Sequence, residues 1–143
     1  MKKLIIINGP NLNLLGKREP NIYGSLSFTE FLEEVQSKYT GIHIDYFQSN
    51  IEGELIDQLQ EVGFTSDGII LNAAAFTHTS VGIGDAIKAI DVPVIEVHIS
   101  NTFAREDFRH VTLIGGVCVG SVSGFGLHSY QLALQGLLQR ITL

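Results

Sequence analysis

Short β-branched and aliphatic runs alternate along this chain with helix-periodic segments. That alternation constrains the fold most, because strands separated by helices pair in parallel through crossover connections. Residues 4–8 are the first run. Ser27-x-x-Glu30 reads as a capping box followed by Phe28, Phe31, Leu32 and Val35 at helical spacing, so a helix is expected to end before Gly41. Residues 42–47 are the expected second strand, and His43 and Asp45 among its apolar residues suit an edge position. Ser49-x-x-Glu52 reads as a second capping box, with Leu55, Leu59 and Val62 turned inward and Gly63 as the stop. Residues 68–72 and 94–99 are expected strands three and four. Between them lie Ile83, Ala86, Ile87 and Ile90 at helical spacing, then Pro93. Residues 117–119 are placed in the fifth strand, and Leu127, Tyr130, Leu134, Leu137 and Leu138 mark the last helix.

The expected fold is a single α/β domain over residues 1–143, flavodoxin-like, with a five-stranded parallel sheet flanked by helices on both faces. Ligands of such sheets collect outside the strand C-termini. A chain of this length buries roughly 70% of its unfolded surface, so it needs no disulfide. Its one cysteine, Cys118, lies in an apolar run and reads as packing. The N-terminal apolar run breaks at Asn8, too early for a signal peptide or membrane span, which makes the cytoplasm the expected compartment. A formal charge of -6, with no basic cluster longer than Lys2-Lys3, argues against nucleic acid as a partner. An anionic substrate would need locally placed arginines.

The segment 9–26 between the first strand and first helix is far longer than the roughly 2–6 residues such a connection needs, which suggests an active-site lid. Pro20 and the apolar Leu12, Leu14, Leu15 and Ile22 argue against disorder. The segment also carries Asn11, Asn13, Arg18 and Tyr23. A phenol titrates at about pH 10, and a nearby guanidinium favours phenolate, so Tyr23 could serve as a general base activated by Arg18. A surface arginine and a loop-anchoring tyrosine is the competing reading.

Glu96 and His98, two apart on strand four, share one face of an otherwise apolar run. Parallel strands are usually buried on both faces, so two ionisable groups there are costly unless they pair or do chemistry. A carboxylate holding an imidazole fixes its tautomer and suits it to act as an acid. A satisfied buried polar pair is the alternative.

Asn72 ends strand three, and His78 follows in its loop; either could be a turn residue instead. Asp85 is, by default, a solvated charge on the next helix. Ser100-Asn101-Thr102 offers hydroxyls and backbone N–H groups for a carboxylate. Arg105 and Arg109 would share one face if that stretch is helical. His43, His110 and His128 have no evident partner, and no His/Cys/Asp cluster has metal-ligand spacing. Gly120-x-x-x-Gly124-x-Gly126 follows the last strand and lacks nucleotide-loop order, so it reads as tight packing at a strand-to-helix turn.

Several separated blocks together resemble the type II 3-dehydroquinate dehydratases. They are Asn8-Gly-Pro-Asn-Leu-Asn-Leu-Leu-Gly16 with Arg18-Glu-Pro and Ile22-Tyr-Gly24, Gln48-Ser-Asn-x-Glu52-Gly, Thr77-His-Thr-Ser80, Glu96-Val-His-x-Ser-Asn101, Ala104-Arg-Glu-x-Phe-Arg-His110 and Ser123-Gly-Phe-Gly126. They span the chain in the family's order.

The resemblance implies a hydro-lyase that needs no metal or cofactor and converts 3-dehydroquinate to 3-dehydroshikimate through an enolate. It makes Tyr23 the base, Arg18 its activator, His98 the acid oriented by Glu96, and Asn11 the holder of an enolate-stabilising water. Asn72, His78 and Arg109 would bind substrate hydroxyls, and Ser100 with the Ile99 and Thr102 backbone the carboxylate. Asp85 would reach a neighbouring subunit's site within a homododecamer built as a tetramer of trimers. The implied setting is the shikimate pathway and aromatic amino acid biosynthesis, with quinate breakdown by the same reaction as the alternative.

The chain departs from the family pattern where Ala73-Ala74 replaces Pro-Gly, where Gly84 stands for a common basic residue, and where Thr102-Phe103 replaces Ile-His. Two rival classes share the expected fold. A flavin-binding relative needs a phosphate-binding first loop, which residues 8–11 do not resemble. A phosphoacceptor signalling domain needs acidic strand ends, and here strands one and three end in Asn8 and Asn72.

Overall fold

The computed structural model describes residues 1–17, 21 and 26–142. Five parallel strands, β1 (Lys2–Asn8), β2 (Ile42–Gln48), β3 (Gly68–Asn72), β4 (Val94–His98) and β5 (Gly120–Ser123), form one sheet in the order β2-β1-β3-β4-β5. Helices α1 (Phe28–Lys38), α2 (Glu52–Val62), α3 (Val81–Ala89) and α4 (His128–Thr142) connect or follow them. The expected edge position of β2 is observed, with His43 Nε2 meeting the Asp45 carboxylate at 2.8 Å on its exposed side.

Period-two alternation divides the core into two layers. Leu4, Ile6, Ile70, Ile95 and Val97 face Phe28, Phe31 and Val35 of α1 and Tyr130, Ala133, Leu134 and Leu137 of α4. Ile5, Ile7, Ile69, Leu71 and Val94 face Leu55 and Leu59 of α2 and Ile83, Ala86 and Ile87 of α3. Each such side chain contributes roughly 1.5–3 kcal/mol when fully buried, so a strand shifted by one residue would lose both layers at once. This makes the register of β1 and β3, with Asn8 level with Asn72, difficult to change.

Two local expectations need correction. Ser27 does cap α1, accepting the Glu30 N–H at 3.2 Å and donating to its carboxylate at 3.0 Å. The second box does not form: α2 is preceded by Ile51, and the Ser49 hydroxyl accepts the Ile51 N–H and donates to Glu54 rather than pairing with Glu52. Gly63 ends α2 as expected, at φ -66. A Cβ there would lie 2.4 Å from the Ile90 side chain, so close packing excludes larger residues. The fifth strand begins at Gly120, not at 117. Residues Gly115–Val117 form a 3-10 turn, and Val117 and Cys118 pack on the α2/α3 layer instead of joining the sheet. Small polar residues of β5 at the sheet edge concealed the strand.

Candidate active site

The order β2-β1-β3 reverses the chain's direction of travel across the sheet at β1/β3, and this switch leaves a crevice at the strand C-termini. A cavity there is lined by Asn11, Asn72, Ala74, His78, His98, Ile99, Thr102, Arg105 and Arg109, among others. A second lobe shares His78, His98, Thr102 and Arg109 and adds Glu96, His110 and Thr112. The lobes measure about 60 and 80 Å³ and bring Arg109 and the imidazoles of His78 and His98 together, with Arg105 beside the first, in a chain of formal charge -6.

Glu96 and His98 share a face of β4, as their spacing requires. His98 Nε2 meets Glu96 Oε2 at 2.8 Å, with the two side chains only 12% and 3% exposed. Burial pushes the Glu96 carboxyl up. Hydrogen bonds from His98 and Thr112, with the charges of His98 and His78, outweigh burial and hold the carboxyl below its ordinary value of 4.5. Glu96 is therefore a carboxylate at neutral pH. Because Nε2 is committed to it, Nδ1 is the ring nitrogen left for a ligand.

The His78 ring stacks 6.2 Å from that of His98. Its Nδ1–H donates to the Val111 carbonyl at 2.7 Å, so in the neutral ring Nε2 is left to accept a ligand hydroxyl. Asn72 is anchored from below: its Nδ2 donates to the Tyr130 hydroxyl at 2.9 Å and its Oδ1 accepts the Ala74 N–H at 3.0 Å. Tyr130 in turn donates to Asn8 Oδ1 at 2.7 Å, and burial first of all raises its phenol above the ordinary range, keeping it a neutral donor. Asn11 adopts a left-handed conformation at φ 70, with its N–H held by Asn50 Oδ1 at 3.0 Å. Leu12 and Leu15 bury beside it in the α1/α4 layer and fix the start of the long loop.

Arg105 and Arg109 reach the cavity, but not from one helix. Two 3-10 turns, Thr102–Ala104 and Asp107–His110, flank an extended Arg105, and this fold of the loop brings the pair together. Arg105 Nη1 donates to the Ser100 hydroxyl at 3.2 Å, and Arg109 Nε to Glu106 at 3.1 Å. Ser100 itself is outside the lining of either lobe. Sequence reasoning gave Arg105 no role of its own; its spacing from Arg109 was the available signal. Asp85 is exposed on α3 and lines neither lobe. Arg18 and Tyr23 lie outside the described residues. Cys118 is half-buried, and burial, then the Glu96 charge, pushes its thiol up to about 12, so it is an inert packing group. Among the described residues no group of three or more His, Cys, Asp or Glu could hold a metal ion.

The departure at Ala73-Ala74 now has a structural content. Ala74 stands at φ 52, the left-handed region that glycine occupies without penalty, and it lines the cavity. The β3–α3 loop therefore keeps a glycine-like shape at a cost of roughly 1–2 kcal/mol in alanine. Ala74→Gly is expected to stabilise the protein by about 0.5–1 kcal/mol, since glycine's extra freedom when unfolded offsets part of the relief. A thermal melt checks this; an unchanged or lower midpoint would mean that the strain at residue 74 is relieved elsewhere.

The family described as Dehydroquinase class II matches residues 2–138. The chain is 52% identical over 139 residues to a 3-dehydroquinate dehydratase of Campylobacter lari, covering 96% of this chain and 87% of that protein. It is 53% identical over 140 residues to one from Caldicellulosiruptor bescii, covering 96% and 97%. The crystal structure of a type II dehydroquinase from Butyrivibrio crossotus superposes with a TM-score of 0.92 at 42% identity, over 96% of this chain and 97% of that one. With the flavodoxin-like parallel sheet, the Glu96–His98 pair at its C-terminal edge and a family match over nearly its whole length, this chain belongs to the class II dehydroquinases.

Proposed function

We propose that the protein is a 3-dehydroquinate dehydratase, a hydro-lyase, with residues 9–26 serving as the lid of a single-domain enzyme. The observation that carries this reading is the buried Glu96–His98 pair beside a cavity into which two arginines converge. Tyr23 removes a proton from the carbon beside the ring ketone, and the electron pair moves into an enolate that Asn11 stabilises through a water. The enolate then reforms the ketone and expels the ring hydroxyl. His98 protonates that leaving group from Nδ1 while Glu96 stabilises the imidazolium, and water departs from a conjugated enone. Arg18 favours the phenolate form of Tyr23. Asn72, His78 and Arg109 bind hydroxyls, and Ser100 with the backbone of Ile99 and Thr102 binds the carboxylate. No cofactor takes part.

The curated relatives' shared name, 3-dehydroquinate dehydratase, supports this substrate. The shikimate pathway and a cytoplasmic location fit the same reading; no helix among the described residues is long and apolar enough to cross a membrane. The direct test follows the ultraviolet absorbance of the enone with purified protein and 3-dehydroquinate, before and after exhaustive chelation. Turnover that survives chelation is expected. Absence of enone formation, or its loss on chelation, would overturn the assignment.

The same reading makes the enzyme a dodecamer of four trimers in which Asp85 completes a neighbour's site. Exposed Val81, Phe103, Phe108 and Val111 support an apolar contact surface near that site. Asp85→Ala is expected to weaken substrate binding and loosen the trimer, whereas a merely solvated charge would change stability by no more than about 0.5 kcal/mol. Sedimentation and activity on one sample at falling concentration separate the two, and a fully active monomer removes the shared-site role.

A further inference from the structure

The Glu96 carboxylate is held from two sides. His98 takes Oε2 from one, and the Thr112 hydroxyl donates to the same oxygen at 2.7 Å from the other. The Thr112 oxygen meanwhile accepts the backbone N–H groups of Ile114 at 3.2 Å and Gly115 at 3.0 Å. A hydroxyl has one proton and two acceptor lone pairs. With two N–H donors on its oxygen, its proton has one direction left, toward Glu96, and each bond polarises the next.

The segment around Thr112 is itself tied to the site. Its neighbour Val111 accepts the His78 Nδ1–H at 2.7 Å, and Leu113 donates its N–H to the Thr77 carbonyl at 2.8 Å. Gly84 of α3 lies so close that a Cβ would stand 2.9 Å from the Leu113 carbonyl oxygen. At Gly115 a Cβ would come within 2.6 Å of Thr112 Cγ2 and 3.1 Å of Glu96 Oε1. One short strap therefore touches both histidines' supports and the carboxylate.

From this geometry we infer that Thr112 is a positioning residue for proton donation: its hydroxyl fixes the Glu96 carboxylate, which in turn fixes the tautomer and orientation of His98. The inference rests on His98 being the proton donor. A threonine that only completes its own turn would need its oxygen as an acceptor and no donor bond to Glu96. Among the described residues, the charged and titratable groups around Glu96 are His98 on its own strand, His78 from the β3–α3 loop, Arg109 and His110 from the 3-10 turn Asp107–His110, and the neutral thiol of Cys118. The Thr112 bond is one of the contributions that keep the carboxyl ionised against burial.

The sign of the pH effect follows. Glu96 stays ionised to below its ordinary pKa, and removing a donor makes the carboxylate easier to protonate, so activity should fail at a higher pH on the acid side. Thr112→Val keeps the shape and removes the hydroxyl. Its kcat is expected to fall on the order of ten-fold with KM within about two-fold, because the lost bond acts on the acid and not on substrate binding.

The acid limb of the kcat profile and the 13C titration of the Glu96 carboxyl should both move upward in Thr112→Val, and Thr112→Ser should return all three readouts toward wild type. Gly115→Ala, whose Cβ would press on Thr112 Cγ2 and crowd the carboxylate, should disturb the same contact and also lower kcat, and it provides a second variant if Thr112→Val folds poorly. Wild-type kcat in either variant, an unmoved Glu96 titration in Thr112→Val, or failure of serine to restore it would overturn the inference. The carboxyl titration needs no substrate. If the wild-type protein made no enone, the assigned reaction would fail while the link between Thr112 and Glu96 remained decidable.

Discussion

Replacing His98 with asparagine is expected to lower kcat by on the order of 10²–10⁴, the range that a positioned general acid supplies. Asparagine is short enough for the space, and the Thr112 hydroxyl still donates to Glu96, so the buried carboxylate keeps a partner and the fold should survive. What disappears is a proton that can be given to the departing hydroxyl. Expelling hydroxide from an enolate without that proton leaves its charge uncompensated in a site where Glu96 is already negative. Binding should change less than turnover, because Asn72, His78, Arg105 and Arg109 remain in the cavity lining. Steady-state kinetics with a binding measurement on the same variant check both halves. Turnover near wild type would transfer proton donation to another group, of which His78, 6.2 Å away ring to ring, is the nearest candidate.

An effect of similar size, about 10²–10⁴ in kcat, is expected for Tyr23→Phe. Phenylalanine keeps the ring and removes only the oxygen proposed to accept the substrate proton. Among the described cavity residues, His78 Nε2 is the acceptor that could compete for this role. Glu96 is committed to His98 and Thr112, and Tyr130 is locked as a buried donor to Asn8. A loss confined to kcat, with ligand affinity retained, supports the base assignment. A loss confined to KM would instead make Tyr23 a lid residue that only closes over the substrate.

Local periodicity made much of the scaffold legible. Two-residue spacing places Glu96 beside His98 on one strand face whatever surrounds them, and the same rule assigns Ile5 and Ile7 to one layer and Leu4 and Ile6 to the other. Helical spacing identified the buried stripes of α1, α3 and α4, and the Ser27–Glu30 cap formed as read. Where local rules competed, they misled. Ser49 has two acidic residues within reach, and packing selects Glu54 over Glu52. Residues 117–119 have strand-like composition, but the glycines before them turn the chain onto the outer layer, and the weaker-looking Gly120–Ser123 enters the sheet.

What the sequence determined by itself was the set of contacts that repeat every few residues: the parallel sheet, its two apolar layers, the edge position of β2, and the pairing of Glu96 with His98. Its motifs also carried the family. Tertiary structure alone decided the bonds that cross the chain. Thr112 reaches Glu96 across 16 residues, Tyr130 reaches Asn72 across 58 and Asn8 across 122, and Arg105 joins Arg109 in the cavity through a doubly turned loop. Ala74 takes a left-handed conformation that its own side chain disfavours. No local propensity encodes these, because each arises only when the sheet brings distant strand ends together and buried polar groups must find partners there.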